Sequence, residues 1–279
     1  MELNNVLFAF GLTLFAGLST GIGSALAFFT KRTNYKFLSV ALGFSAGVMI
    51  YVSMIEIFPE ARAYLSSELG MKLGSWITAI SFFAGIFLIA IIDKFVPSEE
   101  NPHEVRKVEE IQVVEYMNEK EKASDKNRNL KRMGILTAFT IALHNFPEGL
   151  ATFVASVENP SLGIPIAIAI AIHNIPEGIA VSIPIFYATG NRKEAFKLSL
   201  SSGLAEPLGA IVGYFLLYSV FGDTKAFVGV ILSMVAGIMV FISLDELLPT
   251  AREYAEAHLS IYGLVAGMMV MAFSLLLLM

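Results

Sequence analysis

The sequence predicts an all-α integral membrane protein. Eight transmembrane helices form a single domain over residues 1–279, arranged as an inverted repeat: helices 1–3 match helices 6–8, and helices 4 and 5 form a central inverted pair. Three observations predict it. Hydrophobic residues make up 56% of the chain and charged residues 15%, with mean hydropathy +0.69, whereas soluble domains carry about 25% charge. The chain contains apolar runs of the roughly 20 residues that a helix needs to cross a bilayer. And one 19-residue stretch recurs, without a gap, 190 positions later.

The apolar runs follow in order. The first, 5–29, has no basic residue before it and Lys31 and Arg32 after it. That polarity is opposite to a cleaved signal peptide, so the run reads as a retained helix with its N-terminus outside. The second, 37–59, ends on Glu56 and Pro59, and the third, 74–96, ends on Asp93 and Lys94. Residues 97–132 are dense in charge and poor in aromatics, which reads as a cytoplasmic loop, unstructured or partly helical in water. The fourth and fifth runs, 133–156 and 163–187, each enclose a polar set. The sixth, 196–219, contains Glu206, the seventh, 226–249, ends near Asp245 and Glu246, and the eighth is 260–279. Sixteen of the 19 lysines and arginines fall in the segments after runs one, three, five and seven. The positive-inside rule then puts both termini outside and the long loop in the cytoplasm of a multi-pass membrane protein. Cysteine is absent, which removes disulfides, thiolate metal sites and cysteine nucleophiles.

The recurring stretch is Ala46–Tyr64, "AGVMIYVSMIEIFPEARAY", against Ala236–Tyr254, "AGIMVFISLDELLPTAREY", with nine of 19 positions identical. Runs one and six share a fainter pattern, Gly17-Leu18 and Gly23 against Gly203-Leu204 and Gly209, and runs three and eight share Ala84-Gly85 and Ala266-Gly267. An offset of five spans is odd, so the copies cross in opposite directions. Inverted repeats of this kind place a substrate site near the midplane, where the halves meet.

The central pair reads "HNFPEG" at His144–Gly149 and "HNIPEG" at His173–Gly178. In each, the histidine and glutamate are four apart, on one helix face and about 6 Å apart along the axis. Asn145 and Asn174 sit one position round. Pro147 and Pro176 lack an N–H and free the carbonyls of Leu143 and Ile172, predicting a kink in each helix. Each copy thus brings an imidazole, an amide and a carboxylate to mid-bilayer, where ionisable groups are expensive and usually functional. His144, Asn145, Glu148, His173, Asn174 and Glu177 form a thiolate-free donor set whose imidazoles and carboxylates suit Zn2+, Fe2+, Mn2+ or Co2+. Glu206 is a further mid-span acid, placed to complete an adjacent site for a second ion. The alternative is polar glue between helices. Glu56 is a candidate entrance group, and Asp93, Asp245 and Glu246 are candidate exit groups, the alternative being span-end acids that face water or pair with Arg62, Lys94 or Arg252. Small residues such as Gly43, Gly47, Gly85 and Gly237 allow close helix contact and a homodimer.

"HNFPEG", "HNIPEG", "SGLAEPLG" and "DELLP" together resemble the ZIP (Zrt-/Irt-like) divalent-metal transporters, most closely their bacterial members, across all eight runs. The resemblance implies import of zinc, and also iron, manganese, cobalt and cadmium, into the cytoplasm across a bacterial plasma membrane. The metal is cargo rather than cofactor, and no nucleic acid is involved. It implies metal ligands at His144, Asn145, Glu148, His173, Asn174 and Glu177, a binuclear-site carboxylate at Glu206, and an inner exit at Asp93, Asp245 and Glu246. Many members carry a histidine-rich loop between spans three and four; here that loop holds only His103. Two other readings use the same residues: an intramembrane metalloenzyme and a divalent-cation channel. The zinc-protease motif HExxH is absent, and no nucleophile or oxyanion device is visible.

Overall fold

A computed structural model describes residues 3–27, 35–94, 121–217, 225–254 and 257–278. All regular structure among them is helical. The helices are α1 (Leu3–Ala27), α2 (Tyr35–Val52), α3 (Phe58–Leu69), α4 (Met71–Lys94), α5 (Glu121–Glu158), α6 (Pro160–Thr189), α7 (Arg192–Gly203), α8 (Ala205–Phe215), α9 (Lys225–Ile242), α10 (Leu248–Tyr254) and α11 (Ala257–Leu278). Six stretches among the described residues are long and apolar enough to cross a membrane: Leu3–Ala25, Ser39–Leu69, Met71–Ile92, Gly163–Ile183, Lys225–Arg252 and His258–Leu277. They coincide with predicted runs one, two, three, five, seven and eight.

Three features depart from the expected spans. First, α5 begins at Glu121, twelve residues inside the segment read as a loop; the glutamate, lysine, arginine and alanine there are strong helix formers. Second, the sixth run is broken at Leu204 into helices of 12 and 11 residues. Pro207 has no N–H to offer the carbonyl of Gly203, four residues back, and its ring crowds that turn. Third, α2 and α3 are joined by a π-helical turn, Ser53–Ile57, and α9 and α10 by another, Ser243–Leu247. A proline follows each by two residues, at Pro59 and Pro249. The turn inserts a residue, and Phe58 N–H and Leu248 N–H donate five residues back, to the carbonyls of Ser53 and Ser243. Neither α5 nor α6 is interrupted at its motif proline, Pro147 or Pro176, and α6 also runs through Pro165 and Pro184.

Tight caps set the order of the central helices. Asn159 caps α6 by accepting from Ser161 N–H, with Pro160 at the first helical position, where its missing N–H costs nothing. Gly190, in the left-handed conformation (φ 64°), ends α6. Asn191 caps α7, accepting from Lys193 N–H and Glu194 N–H. Turns of one and two residues make α5, α6 and α7 antiparallel neighbours.

The helices fall into two packed groups. One holds α1, α5, α6, α7 and α8. The other holds α2, α3, α4, α9, α10 and α11, and the groups meet chiefly where α2 lies on α6 and α9 on α5. Glycines make the closest contacts, and these contacts come in pairs. A methyl on Gly47 would strike the carbonyl of Leu264; 190 residues on, a methyl on Gly237 would strike that of Phe82. Gly85 meets the carbonyl of Met234 as Gly267 meets that of Phe44. In the other group, Gly23 meets the carbonyl of Ile175 as Gly209 meets that of Phe146, and Gly17 and Gly203 face each other's carbonyls.

Candidate metal centre

The polar set lies between α5 and α6, fully enclosed. Asn145, Glu148, His173, Asn174, Glu177 and Glu206 are all buried to 0% exposure. The antiparallel α5–α6 hairpin brings the two motif copies face to face. His173 Nε2 lies 3.2 Å from Glu148 Oε2, so the fifth-run histidine pairs with the fourth-run glutamate. The break at Leu204 puts Glu206 in the first turn of α8, where its Oε1 accepts from Asn174 Nδ2.

Both asparagines are oriented by backbone. Asn145 Nδ2 donates to the carbonyl of Ser202 (3.2 Å), and Asn174 Nδ2 to that of Ala16 (2.9 Å). With the amide nitrogens so engaged, Asn145 Oδ1 and Asn174 Oδ1 are left with no hydrogen-bond partner among the described residues. Glu148 Oε1 is in the same condition. Burying a polar atom without a partner costs about 1–3 kcal/mol, more when it is charged. Buried oxygens of this kind, with a histidine in the same set, are donors suited to hard or borderline cations.

Among the described residues, no three His, Cys, Asp or Glu side chains already stand in metal-holding geometry. The side chain of His144 lies outside the described residues, as does that of Asp93. Glu56, half-buried, lies in the first π turn. Glu246 (8% exposed) and the exposed Asp245 lie in the second.

One neighbour was missed by sequence reasoning. Ser45, on α2, is fully buried, and its Oγ donates to Glu177 Oε1 at 3.1 Å. A serine in an apolar run carries no local signal, and the contact spans 132 positions.

A family model described as ZIP Zinc transporter matches residues 4–275. The chain is 66% identical over 280 residues to Zinc transporter ZupT of Clostridium perfringens (strain 13 / Type A), covering 99% of this chain and 98% of that protein. It is 61% identical to Zinc transporter ZupT of Lysinibacillus sphaericus (strain C3-41), covering 98% of each. It is 60% identical to Zinc transporter ZupT of Streptococcus mutans serotype c (strain ATCC 700610 / UA159), covering 96% and 97%. A match running from the first helix to the last, on a wholly helical frame around a buried His–Asn–Glu set, places this protein among transporters rather than enzymes: the chain belongs to the ZIP zinc transporter family.

Proposed function

We propose that this chain carries zinc, and with it iron, manganese, cobalt and cadmium, across a bacterial plasma membrane into the cytoplasm. The cation binds between α5, α6 and α8. The observation that carries the reading is the group of three buried, partnerless oxygens, Asn145 Oδ1, Glu148 Oε1 and Asn174 Oδ1, beside His173. His144, Glu148, His173 and Glu177 hold the first ion, with Asn145 at its edge. Asn174 and Glu206 hold a second.

The frame around this site is an inverted repeat of eight spanning helices. The paired glycine contacts support it, and so do the two π turns at identical offsets. So do the asparagine contacts: Asn145 to Ser202 and Asn174 to Ala16 interchange under the offsets of 29 and 186 residues. Both termini are outside and residues 97–132 face the cytoplasm. Glu56 receives the cation at the outer end, and Asp93, Asp245 and Glu246 pass it on at the inner end. The glycines that suggested a homodimer make contacts within the chain, so a dimer would use other surfaces, such as the exposed apolar faces of α4 and α11.

The test is uptake of radiolabelled zinc into proteoliposomes. Glu148→Ala and Glu177→Ala each abolish uptake while the protein still elutes as a folded species. Undiminished uptake in both variants would remove the site assignment.

A further inference from the structure

Several buried hydroxyls in the described helices turn back on their own backbone. Thr13, Thr78, Ser156 and Ser243 each donate to the carbonyl four residues earlier, the usual outlet for a helix hydroxyl. Ser45 does something else. Its Oγ reaches across to α6, 3.1 Å from Glu177 Oε1 and 3.5 Å from the carbonyl oxygen of His173. Glu177 belongs to one helix group and Ser45 to the other, so this bond ties the polar set to the wall it faces.

The aim of Ser45 is set from behind. Gly43 and Gly47 stand two positions either side of it, about 200° round the helix. They receive the carbonyls of Ser260 and Leu264 from α11. With α11 seated on that face, the opposite face of α2, which carries Ser45, is turned onto α6. The matching wall position, 190 residues on, is Val235, buried on α9, the helix that packs on α5. A valine has no donor. One motif glutamate therefore has a hydroxyl partner from the helix group it faces, and the equivalent position in the other half carries no donor.

We propose that Ser45 is a positioning residue for cation binding: it holds Glu177 Oε1 and so presents the other carboxylate oxygen to the ion. A donor on the outward oxygen of a metal-binding carboxylate fixes its orientation, and losing such a partner typically weakens metal affinity 10–100-fold. Charge assistance strengthens the bond beyond an ordinary hydroxyl contact. Glu177 is then the preset carboxylate of the pair. Glu148 is held on one oxygen by His173, itself a member of the donor set, and its Oε1 is partnerless among the described residues.

This inference rests on the transport reading above. Its test is the concentration dependence of zinc uptake by proteoliposomes holding wild type, Ser45→Ala or Ser45→Thr, with the unfolding temperature of each metal-free protein as the fold control. Alanine removes only the hydroxyl and is the better helix former. We expect Ser45→Ala to raise the half-saturating zinc concentration about tenfold, with the maximal rate kept within about twofold. Threonine retains the donor and restores the wild-type half-saturation to within about threefold. A half-saturation in Ser45→Ala equal to that of wild type overturns the inference. So does a fall in maximal rate alone, an equal defect in the threonine variant, or a Ser45→Ala protein that does not fold, since each makes the role merely structural. Wild type that takes up no zinc overturns the transport reading and this inference together.

Discussion

Gly149→Ala and Gly178→Ala apply one perturbation to the two sides of the site. Each glycine follows a motif glutamate directly, each is mid-helix and buried, and in each case the new methyl would run into a backbone carbonyl of a neighbouring helix. For Gly149 that carbonyl is Glu206's; for Gly178 it is Thr20's. Alanine gains about 1 kcal/mol of helix preference over glycine, and overpacking costs about 1–3 kcal/mol. Both variants therefore lose on the order of 0–2 kcal/mol, Gly149→Ala the more, since its methyl would also meet Glu206 C and Cα at 2.5 Å. Cation binding separates them. A carbonyl cannot swing aside as a side chain does, so the struck helix must retreat until carbon and oxygen stand about 3.3 Å apart. That retreat is roughly 1 Å, while a metal site tolerates about 0.2 Å in its ligand distances. In Gly149→Ala it carries off the backbone of Glu206, and with it the acid that faces Asn174. In Gly178→Ala it moves Thr20, which brings no carboxylate. The assay is elemental analysis of purified protein equilibrated with zinc. Gly149→Ala should hold one ion fewer than wild type and Gly178→Ala the same number. Equal ion counts in the two variants refute the reasoning, and with it the role given to Glu206.

Two further outcomes follow from the same geometry. Zinc at 100 times its dissociation constant should stabilise the fold by about 2.7 kcal/mol; the gain should vanish with a chelator and be absent in His173→Ala, as thermal unfolding in detergent will show. Gly47→Ala and Gly237→Ala, which strike the carbonyls of Leu264 and Phe82, should lower stability by amounts within about 0.5 kcal/mol of each other. A difference above about 1.4 kcal/mol, tenfold in the unfolding equilibrium, would break the equivalence of the two halves.

Much of the frame was legible because lipid imposes it. An apolar run must be a helix in a bilayer, since no water is there to satisfy a free backbone, and the described helices cover the runs within a few residues at most ends. The exceptions turn on prolines whose context decides the outcome. Pro59 was read as closing the second run, yet the helix continues to Leu69 because the π turn before it removes the conflict over the lost N–H. Pro207 breaks a helix, whereas Pro147 and Pro176 do not. The sequence pattern is the same X-Pro in all of them, so the local sequence alone does not decide which of them interrupts a helix. The site divides in the same way. Histidine, asparagine and glutamate in an apolar run announce themselves by their cost. The groups that orient them are the carbonyls of Ala16 and Ser202 and the hydroxyl of Ser45, which lie 158, 57 and 132 positions away in sequence and look like ordinary helix residues.

The paired glycines show backbones matched to the contact, while the side chains between them are not matched. In the group that holds α1 and α5–α8, on the side of the Asn159 turn, Phe10, Phe153 and Tyr214 pack ring on ring, with centroids 4.8–6.4 Å apart. At the end beside the Gly190 turn, the residue equivalent to Phe153 is Ser182. There Ser24 and Ser199 converge on one carbonyl, that of Gly178; their equivalents at the ring-packed end are Ala210 and Thr13. A backbone with two like halves has two like arrangements open to it, and in a strictly symmetric chain they would have equal energy. Rings that exclude water at one end and hydroxyls that hydrogen-bond at the other make the two ends unequal. Glu206 against Thr20 and Ser45 against Val235 would make the two faces of the proposed cation site unequal in the same sense. A cation that binds one arrangement better than the other shifts the balance only by that difference in affinity. The residues that set this difference are therefore to be sought where the two copies of the proposed repeat differ, and Glu206 with Thr20, or Ser45 with Val235, can be exchanged as a pair.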